Sequence, residues 1–75
     1  MQAFVLIQTE VGKALLVSEV ISQLPGVLSA EDVLGPYDVV ARVEAADTTE
    51  LPGVVQRIQR VQGITRTLTC QVAAH

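Results

Sequence analysis

The sequence is poor in the residues that usually carry chemistry. It has one cysteine, one histidine, no tryptophan and two other aromatics, Phe4 and Tyr37. A single thiol, Cys70, excludes an intramolecular disulfide framework and a multi-cysteine zinc site. A single imidazole, at the terminal His75, leaves general acid–base chemistry poorly supplied. Glu31 and Asp32 offer carboxylates, but no histidine or cysteine joins them, so no metal and no cofactor is expected. Basic residues are few and scattered: Lys13, Arg42, Arg57, Arg60 and Arg66 stand against eight acidic residues, for a net charge of −3. A surface that neutralises phosphates, on nucleic acid or on lipid, needs those charges clustered. The Arg57/Arg60 pair reads as a solvated helix face. No apolar run approaches the length that spans a bilayer. Met1 is followed at once by strand-like sequence, with no basic start and no small-residue cleavage site. No targeting segment is therefore expected, and the cytoplasm is the expected location.

The chain is also short. Its 75 residues make one domain, 1–75, without room for separate cofactor and substrate lobes. A domain of this size buries only about 60% of the surface its unfolded chain exposes. With disulfides and metal set aside, oligomerisation is the expected source of extra stability.

What the sequence has in abundance is hydrophobic residues, 49% of the chain, arranged in a repeat. Slid on itself by about 37 residues, Ile21-Ser22-Gln23-Leu24-Pro25-Gly26-Val27 falls on Ile58-Gln59-Arg60-Val61-Gln62-Gly63-Ile64. Ala14 meets Leu51, Val17 meets Val54, and Leu6 meets Val43. Each half reads strand, helix, strand. Residues 3–8 are densely apolar, as in a central strand buried on both faces. After Gly12-Lys13 a helix buries Val17, Val20, Ile21 and Leu24 at i, i+3, i+4 and i+7, and Pro25-Gly26 ends it. Residues 27–34 form a second, edge-like strand marked by Ser29, Glu31 and Asp32. Gly35-Pro36 turns the chain into a third strand over 37–45. The second helix begins near Asp47-Thr48-Thr49-Glu50. Pro52 is tolerated only in a first turn, which favours Thr48 or Thr49 as the cap. Leu51, Val54, Val55, Ile58 and Val61 make its buried stripe, and Gly63 ends it. The last strand, 64–73, alternates Ile64, Leu68, Cys70 and Val72 with Thr65, Thr67, Thr69 and Gln71. The first set, with Cys70 as an inert buried thiol, is expected to face the core.

The order βαββαβ predicts an α+β, ferredoxin-like sandwich: a four-stranded antiparallel sheet with two helices on one face. The inner strands are apolar on both sides, while the helices shield only one. An uncovered apolar face of that extent is rare on a soluble monomer, so two sheets are expected to pack face to face in a dimer.

Leu34-Gly35-Pro36-Tyr37-Asp38-Val39-Val40, followed by Gly63-Ile64-Thr65-Arg66-Thr67-Leu68-Thr69, resembles the effector-binding domain of the Lrp/AsnC (leucine-responsive/asparagine-responsive) regulators. There a Gly-x-Tyr-Asp turn enters the third strand and a Pro-Gly-Val-x-x-Thr-x-Thr stretch enters the last. The resemblance runs from Phe4 to Val72. No helix-turn-helix segment precedes the first strand, so the sequence looks like a stand-alone effector (RAM) module. The resemblance implies dimers that assemble further, to octamers, and an amino acid or related metabolite bound where dimers meet. It also implies a role either as a sensor in its own right or as the partner of a full-length Lrp/AsnC regulator.

The candidate ligand residues are Leu34, Gly35, Tyr37, Asp38, Thr67 and Thr69; Leu34 enters through the resemblance, and each of the others has two readings. Gly35 permits a close backbone approach, in a hairpin turn or beneath a carboxylate; Pro36 removes one possible donor. Asp38 can accept from a ligand amino group or pin the amides of its own turn; the resemblance adds weight to the first role. Tyr37 walls a pocket or packs at an interface. Thr67 and Thr69 point the same way along a strand, toward a zwitterion or simply as good strand formers. No catalytic residue is expected. The competing readings are a small dimeric α/β-barrel enzyme of monooxygenase type, and a purely structural oligomerisation module.

Overall fold

The computed structural model describes residues 1–74; His75 lies outside them. The elements run β1 (Gln2–Thr9), α1 (Ala14–Ser22), β2 (Val27–Asp32), β3 (Val39–Glu44), α2 (Leu51–Gln59) and β4 (Ile64–Gln71). The four strands form one antiparallel sheet in the order β2-β3-β1-β4, the ferredoxin-like arrangement the βαββαβ order predicts.

The core lies between the helices and one face of the sheet. Ala3, Val5 and Ile7 of β1 alternate with outward residues, as do Val39, Ala41 and Val43 of β3. Val17 and Ile21 of α1, and Leu51, Val54 and Ile58 of α2, close over them. The duplication holds for the helices: both are nine residues long, and Val17/Val54 and Ile21/Ile58 are buried as matched pairs. Gly26 and Gly63 follow the two helices with φ of +88° and +100°. A Cβ on Gly26 would also press on Val54 and on the Glu44 carbonyl. The match fails in the inner strands. Leu6 belongs to the outward set of β1, whereas Val43 is buried; an odd shift reverses the face of a strand.

Several expectations are corrected. Val20 is exposed, and Ser18 is buried in the α1 stripe instead. Its hydroxyl donates to the Leu15 carbonyl at 2.8 Å, which makes that burial tolerable. Neither Thr48 nor Thr49 caps α2. The N-cap is Glu50, with no side-chain cap bond, and the Asp47 carboxylate collects the Thr49 N–H and hydroxyl just upstream. Those bonds hold the Asp47 carboxyl below its usual range, the Thr49 hydroxyl first and its N–H second.

The largest correction concerns β4. Its pairing with β1 sets Leu68 beside Leu6 and Cys70 beside Phe4, while Thr67 and Thr69 stand beside buried Ile7 and Val5. Thr67 and Thr69 therefore occupy the helix-side face, and Cys70 is an exposed thiol on the open face. Ile64 alone of the expected set packs on the core, because a register shift at Gln8/Thr9 pairs it with Thr9; beyond that shift only the cross-strand register decides which set faces the helices.

The open face carries two cross-strand rows, Glu31–Val40–Leu6–Leu68 and Ser29–Arg42–Phe4–Cys70. Phe4 keeps 36% and Leu68 44% of its surface exposed. Arg42 lies 5.3 Å from the centroid of the Phe4 ring and donates through Nε to Gln2 at 2.8 Å. Its stem and charge border the apolar centre. Among the described residues, no helix is long and apolar enough to cross a membrane.

Candidate functional site

The Gly-Pro-Tyr-Asp turn is longer than the sequence reading allowed, because β2 stops at Asp32 and β3 starts only at Val39. One hydrogen bond closes the loop on itself, from Val33 to Asp38, and three further ties, to Ile7, Gln8 and Thr9, hold it to the body. The Val33 N–H donates to the Asp38 carbonyl, and the Asp38 N–H donates to the Ile7 carbonyl, both at 2.9 Å. Gln8 Nε2 donates to the Pro36 carbonyl at 3.1 Å. The Asp38 carboxylate reaches back to β1 and accepts the Thr9 N–H at 2.8 Å and the Thr9 hydroxyl at 3.4 Å. Asp38 pins the turn, one of the two roles open to it. Leu34, at the tip, is fully exposed, and Tyr37 is half-buried. Gly35 has φ +153° with open space where a Cβ would stand. A side chain there is opposed by the backbone conformation, not by crowding. Among the described residues, no protein group takes up the N–H of Leu34, Gly35 or Tyr37.

Thr67 and Thr69 lie elsewhere. β1 separates β3 from β4, so two strand spacings, about 10 Å, part their strands. One protomer thus brings Leu34, Gly35, Tyr37 and Asp38 together, and Thr67 and Thr69 together, without joining the two groups. The Thr67 hydroxyl accepts from Gln59 Nε2 at 2.9 Å. Thr69 opens into a groove of about 360 Å³ between α2 and β4, lined also by Thr48, Leu51, Pro52, Val55, Gln56 and Gln59. The groove exists because β4 is an edge strand that α2 covers incompletely. Leu51 and Ile58 dip into the core, while Val55 and Gln59 sit off that stripe and overhang β4. Sequence reasoning found Thr69 but missed the other six lining residues. The signal was present in Val55, Gln56 and Gln59, spaced at i, i+1 and i+4 beside the buried stripe, but nothing in the sequence said that a gap lay beneath them.

Among the described residues, no three His, Cys, Asp or Glu side chains converge on a point where a metal would sit. Cys70 stands on the open sheet face, away from both groups of candidates.

A pinned glycine–tyrosine–aspartate turn, an uncovered sheet face and a threonine-bearing edge strand are thus combined on one sandwich. The sequence pattern of the Lrp/AsnC ligand binding domain matches residues 2–74. The chain belongs to the Lrp/AsnC ligand-binding domain family. The crystal structure of a Thermus thermophilus protein superposes with a TM-score of 0.90 at 37% identity, covering 99% of this chain and 94% of that one. A Neisseria meningitidis transcriptional regulator, solved in complex with L-Met, shares the fold, with a TM-score of 0.80 at 18% identity over 97% of this chain and 49% of that one. A homocitrate synthase of Sulfurisphaera tokodaii is 38% identical over 52 residues, 69% of this chain. The chain spans only 11% of that enzyme's length. An Lrp/AsnC ligand-binding domain therefore matches segments both of transcriptional regulators and of an enzyme.

Proposed function

We propose that the chain is a non-enzymatic regulatory module that binds an amino acid in the groove between α2 and β4. The observation that carries this reading is the placement of Thr69 on the helix-side face, where it lines a shallow apolar groove rimmed by amides, its volume at the lower end of the size range of small-ligand sites. The Neisseria regulator's complex with L-Met supports an amino acid as the ligand class. The open sheet face pairs with that of a second copy, burying Phe4, Leu6, Val40 and Leu68, and the dimers assemble further, to octamers. In that assembly the Leu34–Asp38 turn of a neighbouring copy completes the site, with its unused N–H groups directed at the ligand carboxylate. A ligand that touches two subunits stabilises the assembled form by mass action, which couples binding to assembly. The module works in the cytoplasm, alone or with a full-length Lrp/AsnC regulator.

The match to homocitrate synthase favours a second reading, in which the same unit senses a metabolite on behalf of an enzyme. Titration calorimetry of the purified protein against the amino acids, with native mass measured with and without them, tests the sensor reading. Binding of one or a few amino acids with a change in assembly is the expected result. A folded oligomer that binds none refutes it. Co-purification with a regulator or with an enzyme separates the two outputs.

A further inference from the structure

We infer that the outer face of α1 is a contact surface between copies of this chain, separate from the open sheet face, in which two α1 helices pack antiparallel across a two-fold axis. Such a contact joins the dimers of the proposed function, on whose assembly it rests, and it needs no ligand. The duplicated halves supply their own comparison. α2 turns Gln56, Arg57, Gln59 and Arg60 to solvent, and no residue of α2 is among the large hydrophobics left exposed. α1 turns out Leu15, Leu16 and Val20, which keep 59%, 57% and 42% of their surface exposed. Its inner side is already filled by Val17, Ser18 and Ile21. Leu16 and Val20 stand one turn apart, with Leu15 beside them. A helix apolar on its inner and outer sides is one that is covered on both, and the described residues leave the outer side of α1 bare.

The charges select the partner. α1 and its N-cap carry two, Lys13 at the start and Glu19 six residues on, both exposed. Leu16 is the midpoint between them. Two α1 helices related by a two-fold axis at Leu16 therefore run antiparallel with Lys13 of each copy level with Glu19 of the other, so that two ion pairs flank a Leu16–Leu16 contact. The same register brings Val20 level with Gly12 of the second copy, beside whose Cα the space is open. Within one helix Lys13 and Glu19 are off the i+3 and i+4 spacings at which a helix pairs its own charges. The surface is thus its own complement, as a two-fold contact requires. α1 packs on the covered face of the sheet, so this contact and sheet pairing occur together, and two different two-fold contacts on each copy link one dimer to the next.

The test is sedimentation velocity and native mass of the full chain and of surface variants, with circular dichroism confirming each fold. The parent is expected to exceed a dimer. Leu16→Glu sets two carboxylates at the centre of the contact and is expected to weaken association between dimers at least about tenfold while leaving the dimers intact. Lys13→Glu and Glu19→Lys each set like charges level at both pairs and are expected to weaken that association about tenfold. Mixed in equal amounts, these two variants place opposite charges at both pairs again and are expected to recover the parent assembly. A role of either charge within its own copy would leave the mixture as impaired as its components, so a mixture that does not recover overturns the inference. Parent-like assembly of folded Leu16→Glu overturns it as well, as does a parent that stops at dimers dissociated by Leu68→Glu. Calorimetry of the parent against the amino acids decides the sensor reading separately: that reading stands on binding and falls without it, whichever way the α1 variants assemble.

Discussion

Replacing Asp38 with alanine separates its two roles. In the structure the carboxylate accepts the Thr9 N–H at 2.8 Å and the Thr9 hydroxyl at 3.4 Å. The first is a charge-assisted bond of good length; the second is too long to contribute much. Removing such an acceptor strands a backbone N–H and costs about 1.5–3 kcal/mol. Asp38 is half-buried, so water partly replaces the lost partner and the lower figure, about 1.5 kcal/mol, applies. For a domain of this size each kcal/mol moves the melting temperature by about 4–8 °C, so Asp38→Ala is expected to lower Tm by about 6–12 °C. The assay is thermal unfolding by circular dichroism without ligand, at a fixed protein concentration because oligomers melt in a concentration-dependent way. Asp38→Asn retains an acceptor oxygen and is expected to lose less than half as much. A Tm for Asp38→Ala within about 1 °C of the parent refutes the pinning argument, and loss of amino-acid binding in that same stable variant assigns the carboxylate to the ligand.

Ile58 is fully buried between α2 and the sheet, and Ile58→Ala is expected to cost about 2–5 kcal/mol by urea unfolding; a loss below about 1 kcal/mol contradicts the packing described. Leu68→Glu places a carboxylate at the centre of the open face of each copy and is expected to raise the dimer dissociation constant at least about tenfold in sedimentation; an unchanged constant puts the interface elsewhere. Cys70, on the same face, is expected to react slowly with a thiol reagent when the protein is concentrated and quickly on dilution, and equal rates contradict sheet pairing. Asp47 has a folded-state pKa lowered by Thr49, so its stabilising contribution is complete above the unfolded-state value and is lost as pH falls through the folded one. Asp47→Asn is expected to flatten the acid limb of a Tm-against-pH curve, and an identical limb removes that role.

The helices were the most legible part of the molecule. Ile21-Ser22-Gln23-Leu24-Pro25-Gly26-Val27 and its counterpart at 58–64 announce the end of a helix closed by glycine, and the two helices stop just inside those segments, at Ser22 and Gln59. Helix starts were less legible. Pro52 marked the first turn of α2, but Asp47 turned its carboxylate on Thr49 instead of on the helix amides. The turn at Gly35–Asp38 was visible as chemistry. Its length was not, since that depends on Asp38 reaching Thr9, 29 residues away in the chain.

Periodicity by itself determined the element order, the fold class and the two opposed residue sets of the inner strands, because these follow from local geometry: 3.6 residues per helical turn and two per strand repeat; in the edge strands β2 and β4 a register shift interrupts the alternation. It did not determine the face. Thr67 and Thr69 were recognised as a pair, yet whether they or Leu68 and Cys70 lie beneath α2 is settled by the register of β4 against β1. The groove beside Thr69 is likewise a property of tertiary structure: it is the space left where a nine-residue helix, tied to the core by Leu51, Val54 and Ile58, stops short of covering an edge strand. A one-residue change of register would turn those hydroxyls to the open face and leave the groove without them, so packing between distant segments, and not local sequence, decides the site.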